Sequence, residues 1–262
     1  MEAISNAVVV VGGVRSGTTV FRQFLATHAR LADCGEIFNS GSPGGFYPFL
    51  ADLCCADKNA ILPENLDRAF EQYLEALCAR VGGKRPIIDI KYEHLPLLHR
   101  PWDMPFGMPP LLEFLRKHRL SVIHLRRNPV DAVISNLVAK QRKIFHIRAS
   151  QQSASELDEP LTIDPQILQK QLRRRIRTAR VVSRFFRASK RYLQLDYEEL
   201  FDQGAISRTV SDRVAGALSI SAEFDHQPKL RKTTEGPRHT IIRNLAELEP
   251  TIAKYDNYFA SV

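Results

Sequence analysis

The stretch Ala7-Val8-Val9-Val10-Val11-Gly12-Gly13-Val14-Arg15-Ser16-Gly17-Thr18-Thr19 decides how this chain is read. Residues 7–11 form a continuous apolar, β-branched run, the pattern of a parallel strand buried on both faces. Gly12-Gly13 ends the run, and helical spacing follows from Thr18 to about His28. Strand, glycine-rich turn and helix in that order make a loop whose successive N–H groups can curl around a phosphate. The positive end of the helix dipole then favours the anion. The spacing of Gly12 and Gly17 fits a nucleotide-binding loop, because both positions admit backbone angles and approaches that a Cβ would block. A kinase or ATPase loop carries Lys after its second glycine, where this chain has Thr18. Arg15 within the loop and the hydroxyls of Ser16, Thr18 and Thr19 suit one phosphate with a good leaving bond.

Outward from this loop, residues 86–90, 121–125 and 192–195 read as three further strands. Helical patterns over 63–81, 110–118, 128–143 and 165–189 separate them. Pro63-Glu64 opens the first of these helices and Gly82-Gly83 stops it; Asn128 is placed as an N-cap with Pro129 at the first helical position. Further helices are expected near 48–55, 198–217 and 245–258, with loops at 35–60 and 221–240. Strands alternating with helices predict an α/β fold: a parallel sheet flanked by helices, of the phosphate-loop nucleotide-binding type. No linker, repeat or low-complexity tract divides the sequence, so a single domain over 1–262 is expected.

The chain has 262 residues, 37 Lys plus Arg against 29 Asp plus Glu, a formal net charge of +8 and a pI near 9.5. Ten of the cations lie between Pro165 and Arg191, where there is no Asp or Glu; the remainder carries 27 basic against 29 acidic residues, a net of −2. The high pI therefore belongs to one segment. Its apolar positions Ile167 or Leu168, then Leu172, Ile176, Ala179, Val182 and Phe186, form an amphipathic stripe, and the cations take the other positions. They make either a solvated face or a surface for an anionic partner: an acidic glycan, a membrane surface or a second subunit. Nucleic acid is not expected, because the surrounding loops lack aromatic residues interleaved with the cations. Hydrophobic residues make up 44%, which excludes a disordered chain. Cys34, Cys54, Cys55 and Cys78 show no metal-ligand spacing, and no metal is expected. The sequence shows no secretory leader and no transmembrane segment, so a cytoplasmic protein with reduced thiols is expected.

A second constellation follows the strand at 121–125. Arg127 stands at its end, and Ser135 lies eight residues on, two turns into the next helix. An Arg fork and a hydroxyl at the C-terminal edge of a parallel sheet suit a second, separate phosphate. Read alone, the pair could equally be a local cap and a small buried residue.

Together the two segments resemble the sulfotransferases that use 3'-phosphoadenosine 5'-phosphosulfate (PAPS). Val14-Arg15-Ser16-Gly17-Thr18-Thr19 is similar to that family's Pro-Arg-Ser-Gly-Thr-Thr loop for the 5'-phosphosulfate, with Val14 replacing the usual Pro. Arg127 and Ser135 match its 3'-phosphate element. Gly35-Glu36-Ile37-Phe38-Asn39 and Asp89-Ile90-Lys91-Tyr92 resemble stretches of bacterial trehalose and nodulation-factor enzymes, and Tyr197-Glu198-Glu199-Leu200 a Tyr-Glu-Asp-Leu segment common in the family. For the C-terminal 3'-phosphate loop, Arg231-Lys232 and Arg238 are the candidates.

The resemblance implies transfer of a sulfonyl group from PAPS to a hydroxyl of a carbohydrate or other small acceptor, with PAP as the second product and without a metal. It implies Glu36 as general base and Arg15 and Lys91 as catalytic cations. Val14 to Thr19, Arg127, Ser135, Arg231 and Lys232 would hold the donor. On residue type alone Glu36 reads as a solvated loop acid and Lys91 as a strand-end Lys, and His94 and His99 are rival bases. The sequence fixes no oligomeric state, a homodimer included. The alternative function is an ATP-dependent small-molecule kinase.

Overall fold

The computed structural model describes residues 4–98, 108–142, 147–148, 160–228, 230–231, 238–256 and 258–259. The chain runs β1 (Val8–Gly12), α1 (Thr18–Leu25), β2 (Leu31–Glu36), α2 (Phe46–Ala56), α3 (Leu66–Arg80), β3 (Arg85–Lys91), α4 (Pro110–Lys117), β4 (Ser121–Arg126) and α5 (Pro129–Arg142). It continues with β5 (Ile147–Arg148), α6 (Pro165–Phe186), β6 (Tyr192–Asp196), β7 (Phe201–Asp202), β8 (Ala205–Ile206), α7 (Arg208–Leu218), β9 (Leu230–Arg231), α8 (Arg238–Ile241) and α9 (Leu245–Tyr255). Five strands form a parallel sheet in the order β2-β3-β1-β4-β6. The expected α/β architecture of a parallel sheet with flanking helices is therefore present.

The valines of β1 are wholly buried because both faces of the sheet are covered. Val9 and Val11 face α3, α4 and α6; Val8 and Val10 face α1 and α7. A third apolar layer, between α5, α6 and α9, extends the molecule beyond the sheet. Among the described residues, no helix is long and apolar enough to cross a membrane.

The topology decides where a ligand would sit. The connection leaving β1 runs through α1 towards the β2 edge, whereas the connection leaving β4 runs through α5 and α6 towards β6. Between β1 and β4 the direction of winding reverses, and the crevice at the carboxyl ends of those strands is the switch point where open α/β sheets bind ligands.

Three sequence expectations change. β2 is a strand although its sequence, Leu31-Ala32-Asp33-Cys34-Gly35-Glu36, has no apolar alternation: it is an edge strand, half-exposed beyond Leu31. The helix expected from 198 resolves into a short turn, the β7–β8 hairpin and then α7. Gln203 and Gly204, both at positive φ, make the two-residue turn that such a hairpin needs. In the basic segment, nine of the ten cations are exposed, but Arg175 is buried.

Candidate active site

The loop between β1 and α1 is held open by its glycines. A Cβ on Gly12 would lie 2.8 Å from Thr18 Cγ2 and 3.0 Å from the Leu125 carbonyl oxygen. Gly17 has φ +83°, and a Cβ there would run into the Tyr197 ring. Arg15 also takes a left-handed conformation, φ +63°, which a non-glycine residue adopts only at a cost. The left-handed residues Arg15 and Gly17 give the loop the backbone form of an anion cradle at the head of α1, with the Ser16 N–H turned back to the Gly13 carbonyl at 3.1 Å.

The register of the sheet places a charged cluster on each side of this loop. Gly12 pairs with Lys91 of β3 on one side and with Leu125 of β4 on the other.

On the β3 side, the Lys91 ammonium donates to Thr18 Oγ1 and lies 2.8 Å from Asp89 Oδ2 and 3.1 Å from Glu36 Oε1. A cation thus reaches the hydroxyl of Thr18, the position where a kinase loop carries its own Lys. Asp89, fully buried, also accepts from Arg22 Nε at 3.1 Å, and Arg22 pairs in turn with Asp33. Two cations and three carboxylates compensate one another in a place where any one alone would be costly. Glu36 keeps 29% of its side chain exposed, so it faces both the buried ammonium and incoming solutes. A bulge aims it. Asp33 pairs with Ile87 and Glu36 with Asp89, so β2 carries an extra residue against β3, with Gly35 at φ +79° taking the turn.

On the β4 side, Arg15 Nε donates to Ser135 Oγ at 3.2 Å, and Arg127 donates to the Arg15 carbonyl at 2.9 Å. The Arg127 guanidinium lies 4.5 Å over the Tyr197 ring, the same ring that fills the space beside Gly17. Burial and then the neighbouring Arg127 charge lower the Arg15 pKa. This concentration of positive charge favours an anion. Arg126, one residue earlier, instead holds Asp196 through two hydrogen bonds, 2.7 and 2.8 Å.

The structure therefore brings together Arg15, Ser16, Gly17, Thr18, Glu36, Lys91, Arg127 and Ser135, with Val14 in the same loop and Thr19 in the first turn of α1. Arg15 extends towards Ser135 rather than towards Glu36. Arg231 falls in β9; Lys232 and His99 lie outside the described residues. Arg238 is engaged by Asp131 and Asp256, and its hydrogen bonds to Asp256 and then Asp131 raise its pKa well above the usual range.

The rival base His94 accepts the Lys91 backbone N–H at Nδ1, 3.3 Å, which assigns the proton of the neutral ring to Nε2. Burial lowers its pKa. In that tautomer it is a donor. His124 is fully buried against the Tyr92 and Tyr192 hydroxyls, and desolvation pushes it down to about 3.

Residue-by-residue reading missed Asp89 as the hub of the β3-side cluster, Arg22 as its second cation, and Arg175. The last was legible in principle: Leu172, Arg175, Ile176 and Ala179 share the inward face at helical spacing.

No protein-family profile matches the chain, and no curated protein matches it. Among solved structures it is similar to a sulfotransferase from Alicyclobacillus acidocaldarius, with 13% identity, 95% of this chain and 93% of that one covered, and a TM-score of 0.46. It is similar to the sulfotransferase domain of a Synechococcus olefin synthase at 15% identity, covering 98% and 87%, TM-score 0.45. A mouse sulfotransferase crystallised with PAP matches at 13% identity, covering 82% of this chain and 59% of that one, TM-score 0.43.

Proposed function

We propose that the chain is a PAPS-dependent sulfotransferase, working as a single domain on a hydroxyl of a carbohydrate or another small acceptor. The observation that carries this reading is the Lys91–Glu36 contact at 3.1 Å, set against an anion-cradling loop whose other side bears Arg15, Arg127 and Ser135. The Lys91 ammonium on one side of the loop, and Arg15 with Arg127 on the other, suit a ligand with two separated phosphate groups.

The donor, when bound, supplies the sulfonyl group and a phosphate as the leaving group. Glu36 accepts the proton of the acceptor hydroxyl, and its partial exposure lets an acceptor reach it. Lys91 and the loop N–H groups offset negative charge as it grows on the leaving oxygen. Arg127 and Ser135 orient the second phosphate. The kinase alternative fits less well. Asp89 is paired through Oδ2 with Arg22 and Lys91, and Asp196 with Arg126, so each strand-end acid already faces a cation.

Thermal-shift titration tests the reading: PAP is expected to raise the melting midpoint and ATP to do so weakly. Stabilisation by ATP alone would overturn it. Glu36→Gln should keep PAP binding and lose transfer of labelled sulfonate to a sugar panel by about 10²-fold or more.

A further inference from the structure

Arg175 lies in the middle of α6, on the inward stripe with Leu172, Ile176 and Ala179, and only 8% of it is exposed. Its Nη1 donates to the Val14 carbonyl at 2.8 Å, and its Nη2 donates to Ser16 Oγ. The guanidinium lies so close to Gly13 that a Cβ there would be 2.7 Å from its carbon. Among the described residues no carboxylate comes within ion-pair distance of it. A buried cation held, among the described residues, by a carbonyl and a hydroxyl alone is a poor stabilising device, since no opposite charge offsets its desolvation cost there. Burial lowers its pKa to about 10, which still leaves it charged at neutral pH.

The placement has a consequence for the loop. A carbonyl oxygen turned into an anion cradle would repel its ligand. Val14 and Arg15, two successive loop residues, each have their carbonyl held by a guanidinium, one from Arg175 and the other from Arg127. We propose that Arg175 is a positioning residue of the phosphate-cradling loop: it secures the Val14 carbonyl and the Ser16 hydroxyl, fixing the loop in its anion-cradling form, and it adds a buried positive charge beside it. This rests on the sulfotransferase reading only for the identity of that anion.

The test is calorimetric titration of the full chain with two probes, PAP and inorganic pyrophosphate, alongside melting of the unliganded protein. Arg175→Met should weaken both probes by about tenfold or more. It should leave the unliganded midpoint near or above that of the wild type, because an unpaired buried charge has been replaced by an apolar chain. Arg175→Lys, which keeps the charge and loses the fork, should recover part of the affinity. Arg174→Met removes an exposed charge from the same helix and should stay within about twofold of the wild type. Wild-type affinity in Arg175→Met overturns the proposal, as does a loss of affinity matched by a collapse in unliganded stability. If the wild type binds pyrophosphate but not PAP, the sulfotransferase reading fails and Arg175 is judged on pyrophosphate alone. If it binds neither, both fall.

Discussion

Lys91 and Glu36 touch through a contact that neither could hold alone. Lys91 is almost fully buried, and a buried ammonium facing a single half-exposed carboxylate would tend to withdraw to water. Asp89, two residues earlier on the same face of β3, prevents this by accepting from Lys91 at 2.8 Å and from Arg22 at 3.1 Å. Replacing Asp89 with Asn removes the negative charge between two buried cations. Arg22 retains Asp33 and Lys91 retains Glu36, so the cost falls at the lower end for a broken buried pair, about 3 kcal/mol. Urea unfolding of Asp89→Asn measures it. The same variant should lower transfer even where PAP still binds, because Lys91, its inner partner gone, draws on the carboxylate that has to accept a proton. A variant as stable as the wild type would show Asp89 to be passive.

Elements bring these residues together, and they differ in how plainly the sequence announces them. β1, β3 and β4 are buried on both faces and are built around β-branched or aliphatic runs, so they are legible without a structure. β2 is not, because an edge strand needs no apolar face and its one structural demand, the bulge at Gly35, has no periodic signal. Ser135 and Arg127 could be placed by spacing, and Glu36 and Lys91 by resemblance, yet the ion pairs that hold Lys91 depend on register, which only the sheet supplies. Arg175 shows the limit most clearly. The amphipathic pattern puts Arg175 on the inward face of α6 with Leu172, Ile176 and Ala179, but that a guanidinium can be held there depends on Gly13 leaving room for it. How α6 begins therefore matters to the loop. Asp164 caps it, accepting from Gln166 N at 2.7 Å and Ile167 N at 3.3 Å, with Pro165 following. Asp164→Ala should cost about 1 kcal/mol in urea unfolding. It should weaken PAP little, since the cap lies about three turns before Arg175.

For the molecule as a whole, the net charge of +8 and the few cations around the loop are separate matters. Arg15, Lys91, Arg127 and Arg175 act within a few ångströms, in partly or fully desolvated positions where salt screens little. The nine other cations between 165 and 191 are exposed, and at physiological ionic strength their field fades over about 8 Å. They differ, then, in how they should respond to salt. Reversing three of them, Arg177→Glu, Arg184→Glu and Lys190→Glu, removes six units of charge and takes the formal net charge from +8 to +2. If these residues form a solvated face, the equilibrium Kd for PAP at 0.15 M salt should stay within about threefold of the wild type. At 0.01 M, where the screening length grows to about 30 Å, the association rate should fall by about tenfold. Stopped-flow titration at the two salt concentrations separates these effects. Sedimentation of the same variant tests the other use of such a face. A wild-type dimer that dissociates on charge reversal would make the basic helix a contact between subunits, whereas an unchanged sedimentation coefficient and an unchanged Kd would leave it a solvated surface whose one inward residue serves the loop.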